Sequence, residues 1–226
     1  MVHLVVQLPP QLPPELSVMP PRSSEHLVEA VRRLYLKNNR SAAPSSEGAV
    51  ATFSRRQEKS QKRIECNRPP STAPTTPPTL LHPVFGEFLD TCNSGVVTAE
   101  DHCFALNLST AMSSFYENES ARAKKIREIF QRYRLVFTRS RIEPTNYETD
   151  GDMSLDGIRY VLTEMKNEVC SSGAEPYAQA ALYYQEAMRE HAEKLAHSVL
   201  PCLIVLVFGL SPFFLLYSLK VQLAFL

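Results

Sequence analysis

Glu164 and Lys166 stand two residues apart in Ile158-Arg-Tyr-Val-Leu-Thr-Glu-Met-Lys-Asn-Glu-Val, a run rich in strand-forming residues. Alternate residues of an extended chain share a face, so this carboxylate and this ammonium project side by side. Burying either charge is costly. Two uses of the pair stand open. One is a solvent-facing edge strand. The other is a metal site in which the carboxylate binds the ion and the lysine orients or deprotonates a water. Two more carboxylates, Asp150 and Asp152, lie just upstream in Thr149-Asp-Gly-Asp152.

Asp156-Gly157 separates the two groups and is a strong hairpin signal. The turn length decides what the carboxylates can do together. With a two-residue turn, residue 155 pairs with 158, and Asp150 and Asp152 point away from Glu164. With a three-residue loop, Leu155-Asp156-Gly157, residue 154 pairs with 158. Asp150 then opposes Leu162, diagonally beside Glu164 and on its face. The shared acidic centre is expected on the second register.

The elements that must hold this hairpin are legible on both sides. Thr98, followed by Glu100 and Asp101, starts a helix whose stripe is Phe104, Leu108, Met112 and Phe115. Ser120 to Tyr133 continues as helix, with Ile126, Ile129, Phe130 and Tyr133 on one side. Leu135-Val-Phe-Thr reads as a short strand. After the hairpin, Ser171-Ser-Gly173 breaks the long strand, and Pro176 stands at the first position of a helix running to about Lys194. Leu200 to Phe208 is a buried-strand run that ends at Gly209. This order predicts an α/β domain with a mixed sheet flanked by helices, over residues 80–209.

An acidic residue at a hairpin followed by Glu-x-Lys on the next strand resembles the PD-(D/E)xK superfamily of restriction-endonuclease-like nucleases. Gln179-Ala-Ala-Leu-Tyr183 is similar to the QxxxY motif of its RecB-like branch. Thr149-Asp-Gly-Asp152, Glu164-Met-Lys-Asn-Glu168, Gly173-Ala-Glu-Pro176 and Ser198-Val-Leu-Pro-Cys202 look like a domain of uncharacterised fungal proteins. Those proteins often carry it beside a protein-kinase-like domain, some in Crinkler-like arrangements. The resemblance implies a restriction-endonuclease-like fold and Mg²⁺ held by Glu164 with Asp150 or Asp152. It implies Lys166 assisting the attacking water, Gln179 and Tyr183 as further site residues, and nucleic acid as the partner. No proline precedes Asp150 or Asp152, so which aspartate is the ligand stays open.

Outside the resemblance, Tyr183 and Tyr184 read as packing residues. Glu100 and Glu119 read as exposed helix acids, although some relatives carry an acidic residue on the first helix. His82, His102, His191 and His197 share no ligand spacing and take surface or helix-end roles.

Twelve of the seventeen prolines precede residue 80. With the Ser and Thr around them they leave little apolar surface, so residues 1–79 are expected to be disordered apart from a short amphipathic helix near 24–38. Arg55, Arg56, Lys59, Lys62 and Arg63 read as a solvated charge run, with nuclear import or phosphate contact as the alternatives. Lys plus Arg equals Asp plus Glu at 24 each, so no global field attracts nucleic acid or an anionic membrane. Five scattered cysteines without CxxC spacing point to a reducing compartment, and the start of the chain does not look like a signal peptide. An intracellular protein, cytoplasmic or nuclear, is the expectation.

The end of the chain admits two readings. Ser198 to Leu219 carries no charge, and ~20 apolar residues span a bilayer, so residues 199–219 could anchor the protein by its tail. Alternatively Leu200 to Phe208 is the last core strand, and residues 210–226 are an apolar tail unrelated to the fold. Three functions follow: a Mg²⁺-dependent nuclease-like domain, a non-catalytic interaction module keeping the same fold, or a tail-anchored membrane protein.

Overall fold

Cys202–Phe208 reads CLIVLVF, apolar at every position, as a strand covered on both faces must be. In the computed structural model this strand lies at the centre of a five-stranded mixed sheet. The structure describes residues 2–7, 24–39, 42–59, 62–66, 69–72, 76–167, 173–189, 191, 198–209 and 211–220.

The strands are β1 (Val2–Gln7), β2 (Arg141–Ile142), β3 (Tyr147–Glu148), β4 (Gly151–Leu155), β5 (Ile158–Met165), β6 (Cys202–Phe208) and β7 (Ser211–Lys220). The helices are α1 (Ser24–Asn38), α2 (Pro44–Glu47), α3 (Val50–Gln57), α4 (Pro83–Ser94), α5 (Ala99–Met112), α6 (Glu119–Arg132) and α7 (Pro176–Met188). The sheet runs β1-β7-β6-β5-β4, and β2 and β3 form a separate ribbon. β5 and β6 are parallel, which requires a crossover, and α7 supplies it.

The period of two sorts β5 and β6 between two cores. Leu162, Ile204 and Leu206 face α7 and α1, with Tyr35, Leu182, Tyr184 and Met188. Val161, Met165, Val205 and Val207 face α5 and α6, with Leu108, Met112, Ile126 and Phe130. The protein is thus a mixed α/β fold with helices on both sides of the sheet.

The helix starts follow their sequence signals. Thr98 and Asp101 form a capping box, and Asn118 caps α6. Pro176 stands at the start of α7, capped by Glu175. His82 takes a helix-end role, its Nδ1 accepting from Val84 N at 3.2 Å.

Several expectations change. Leu135 and Val136 are exposed and form no strand; only Thr138 bridges to Asp152. Phe115 is fully exposed, because α5 ends at Met112 before the stripe reaches it. The helix α7 ends at Met188, six residues earlier than Lys194, which itself lies outside the described residues.

The segment before residue 80 is not uniformly apart from the core. Val31, Tyr35, Leu36, Phe53, Ile64 and Cys66 are buried in the α7-side cluster. Few apolar residues suffice because α7 is buried nearly throughout and offers a ready apolar face. Arg56, expected in a solvated run, is 6% exposed and donates to Gln185 Oε1 at 3.0 Å.

Residues 202–208 and 211–220 are two antiparallel strands joined through Gly209, whose φ is 55°. No described helix is long and apolar enough to cross a membrane. The stretch beyond 209, expected to be unrelated to the fold, supplies β7, whose backbone pairs with the free side of β6. Residues 221–226 lie outside the described residues.

Candidate functional site

The turn between β4 and β5 is the two-residue form: Leu155 pairs with Ile158, and Asp156 and Gly157 have φ of 50° and 80°. Positive φ at both central residues is what type I′ hairpins require. This overturns the three-residue loop. A bulge then changes the parity. Ser154 pairs with Arg159 but Met153 pairs with Val161, so Tyr160 is the extra residue on β5. Beyond it Asp152 opposes Leu162 and Gly151 opposes Thr163. The ladder ends at that pair; Asp150 is the next residue, and by the alternation of the chain this register directs it toward the face of Glu164. The shared face arises, through a different device from the one expected.

At the end of β5 the charged groups converge. Met165 N donates to Asp150 Oδ2 at 2.8 Å. Lys166 Nζ lies 3.0 Å from Glu164 Oε1 and 3.1 Å from Glu119 Oε1. Glu164 is 1% exposed, and among the described residues its oxygens are met by Lys166 as an ion pair but by no hydrogen-bond donor in good geometry. Burial, then the facing Asp150 charge, raises its carboxyl well above the usual range, against the pull of Lys166. Burial raises Asp150 too, opposed by the Met165 amide and by Lys166. For Lys166 burial acts to lower the pKa, but the charges of Glu164 and Glu119 and the hydrogen bond to Glu119 outweigh it and raise it. The lysine therefore stays an ammonium.

The helix α7 lies over the same face. Gln179 is buried with Oε1 unpartnered, and it hydrogen-bonds Tyr183, one turn on. Burial, then the Glu164 charge, pushes the Tyr183 phenol up to about 12. The first turn of α7 is held from outside by α2. Glu175 N donates to Gly48 O at 2.8 Å, and Ala49 bridges Ala174. A Cβ at Gly48 would stand 2.8 Å from Pro44 O and 3.1 Å from Gln179 N, so a side chain there would force the backbone to shift.

Asp152 sits on the same face but belongs to another network. Its Oδ2 accepts from Ser140 Oγ, from Thr149 Oγ1 at 2.6 Å and from Arg159 Nε at 3.2 Å. These bonds anchor the arm carrying β2 and β3, and Arg159 also reaches Arg141 O at 2.7 Å.

The structure thus brings together Asp150, Glu164, Lys166, Gln179 and Tyr183, and it ties Asp152 elsewhere. It also adds Glu119, read from sequence as an ordinary exposed acid; Glu100 stays exposed and apart. Asn118 marks Glu119 as a first-turn residue, but no local signal says where that turn points. Arg127, whose Nη1 donates to Asp150 O at 2.6 Å, was equally hidden.

Among the described residues no three His, Cys, Asp or Glu side chains converge as a metal-ligand cluster. Mg²⁺, however, is commonly held by one or two carboxylates with substrate phosphates and water completing its shell. Two facing carboxylates, one without a hydrogen-bond donor, and the free Gln179 Oε1 are hard oxygen donors of that kind. Compared with family models, curated proteins and solved structures, the chain matches none.

Proposed function

We propose that the end of β5 is a Mg²⁺-dependent phosphodiester-cleaving centre of the PD-(D/E)xK kind, acting on nucleic acid. One observation carries this reading: beyond the bulge at Tyr160, Asp150 comes to the end of β5 with its carboxylate on Met165 N at 2.8 Å and its charge acting on Glu164, while Lys166 Nζ stands 3.0 Å from Glu164. In this reading Asp150 and Glu164 hold the ion, and their mutual repulsion is what a cation relieves. Bound Mg²⁺ supplies Lewis-acid polarisation of a phosphoryl oxygen. Lys166, retained as an ammonium, donates to the attacking water and orients it. Gln179 and Tyr183 line the wall opposite, both able to donate near neutral pH.

A second reading has its own support. Glu164 and Lys166 are 1% and 6% exposed, with Glu119 closing over the lysine. Such closure suits a non-catalytic module that keeps the fold. Mg²⁺-dependent cleavage of labelled DNA and RNA by the full chain separates the two. Cleavage lost in Lys166→Ala and kept in Lys59→Ala, an exposed lysine, supports the first reading. Equal activity in both variants would sink the site assignment, and no cleavage by the wild type would leave the second reading.

A further inference from the structure

Arg122, on the first turn of α6, is 2% exposed, yet among the described residues its guanidinium donates only to carbonyls. It reaches Asn167 O at 2.8 Å, Met112 O at 3.1 Å and Gly209 O, while its Nε has no partner. The Tyr116 ring lies 5.8 Å from its Cζ. A buried cation with no carboxylate among the described residues is an expensive way to fill space; an apolar side chain of similar volume would pack there at less cost. The three carbonyls show what the guanidinium achieves.

Met112 ends α5, Asn167 follows Lys166 at the exit of β5, and Gly209 is the turn after β6. Lys166 N also donates to Val207 O at 2.9 Å. The two parallel strand ends are therefore joined to each other by the backbone and to α6 by Arg122. Glu119 stands three residues before Arg122 on that same turn and is the second partner of Lys166. The spacing between Glu119 and Lys166 is thus set through one side chain.

We infer that Arg122 is a positioning residue, which fixes Lys166 against Glu164 and Glu119 by clamping the carbonyls of Asn167 and Gly209. The inference rests on Lys166 being a working group of the proposed centre. Loss of the clamp frees the chain just beyond Lys166 without touching either carboxylate.

The test uses the full chain with Arg122→Lys, Arg122→Met and a stability control, Leu108→Ala, which opens the same core without touching the clamp. Two readouts are taken: pulse acetylation of Lys166 followed by mass spectrometry, and steady-state cleavage. Both Arg122 variants should raise Lys166 acetylation by about tenfold or more, as local opening does, and leave exposed Lys124 unchanged. They should lower kcat by about 100-fold with KM nearly constant, the effect of a small misplacement of a catalytic group. Leu108→Ala should lower Tm without either change.

An equal rise in acetylation in Leu108→Ala at matched Tm would overturn the inference. So would unchanged acetylation in the Arg122 variants, or failure of both to fold, which would make Arg122 a folding residue. A wild type that cleaves nothing, with acetylation rising only in the Arg122 variants, would defeat the nuclease reading and leave the clamp standing.

Discussion

Replacing Glu164 with glutamine is expected to stabilise the fold while abolishing cleavage. The wild-type carboxylate is 1% exposed, holds Lys166 at 3.0 Å only as an ion pair outside hydrogen-bond geometry, and feels the Asp150 charge. Leaving one buried polar group unpaired costs about 1–3 kcal/mol. Glutamine turns one oxygen into a donor, removes the charge that repels Asp150 and keeps the other oxygen toward Lys166. Against this stands the loss of the 3.0 Å ion pair, but Lys166 retains Glu119 at 3.1 Å. The net gain is about 1–2 kcal/mol near neutral pH, the lower part of that desolvation range. For a chain of this length that raises Tm by about 2–8 °C.

The pH dependence gives the sharper check. The folded-state pKa of Glu164 is raised above its unfolded value. A raised pKa contributes stability that is fully present below the unfolded value and is lost as pH rises through the folded one. The stability gap between Glu164→Gln and wild type should therefore be smallest near about pH 4 and widen toward alkaline pH. Lys166 is also raised, so its contribution is lost only above the ordinary lysine range and stays constant over this interval. Thermal melts of both proteins from about pH 4 to 9 measure the gap. A variant less stable than wild type throughout, or a gap independent of pH, would refute the argument and make Glu164 an ordinary ion-pair partner.

Asp152→Asn keeps one acceptor oxygen for Ser140 and Thr149 but removes the charge that pairs with the largely buried Arg159, and should cost about 3 kcal/mol, read by denaturant melts. Cleavage per folded molecule should survive it, whereas Asp150→Asn should abolish cleavage. Mg²⁺ at ten times its Kd should stabilise the wild type by about 1.4 kcal/mol, and Asp150→Asn should erase that thermal shift. Gly157→Ala places a side chain at φ 80° and should destabilise by about 1–2 kcal/mol with catalysis intact.

Much of this protein was legible residue by residue. Thr98, Asn118 and Pro176 mark helix starts because caps act within one turn. The unbroken apolar run at β6 announces a strand covered on both faces. By contrast the helix α4, with Pro83 at its first position and His82 as its cap, was missed, since most of its residues are exposed and its apolar stripe is thin. The helix at 24–38 was read as amphipathic, but its packing in the core was not, and α3 and β7 were missed. Their order depends on the free side of β6 and on α7, partners distant in the chain.

At the site, sequence alone determined that Glu164 and Lys166 share a face, because a strand alternates with period two whatever lies around it. It also placed Gln179 and Tyr183 one helical turn apart. Whether Asp150 joined them was a question of parity across two strands, and one residue more or less reverses the answer. Asp156-Gly157 made the tight turn its residues favour, which alone would have sent Asp150 to the wrong face. The extra residue at Tyr160 restored it. A bulge answers to register, and here β5 is held by β6 and by the core residues on each side of the sheet. Those constraints exist only once the layers have packed. For the same reason Glu119 and Arg122, 45 or more residues from Lys166 and Asn167 in the chain, meet them only in the folded protein.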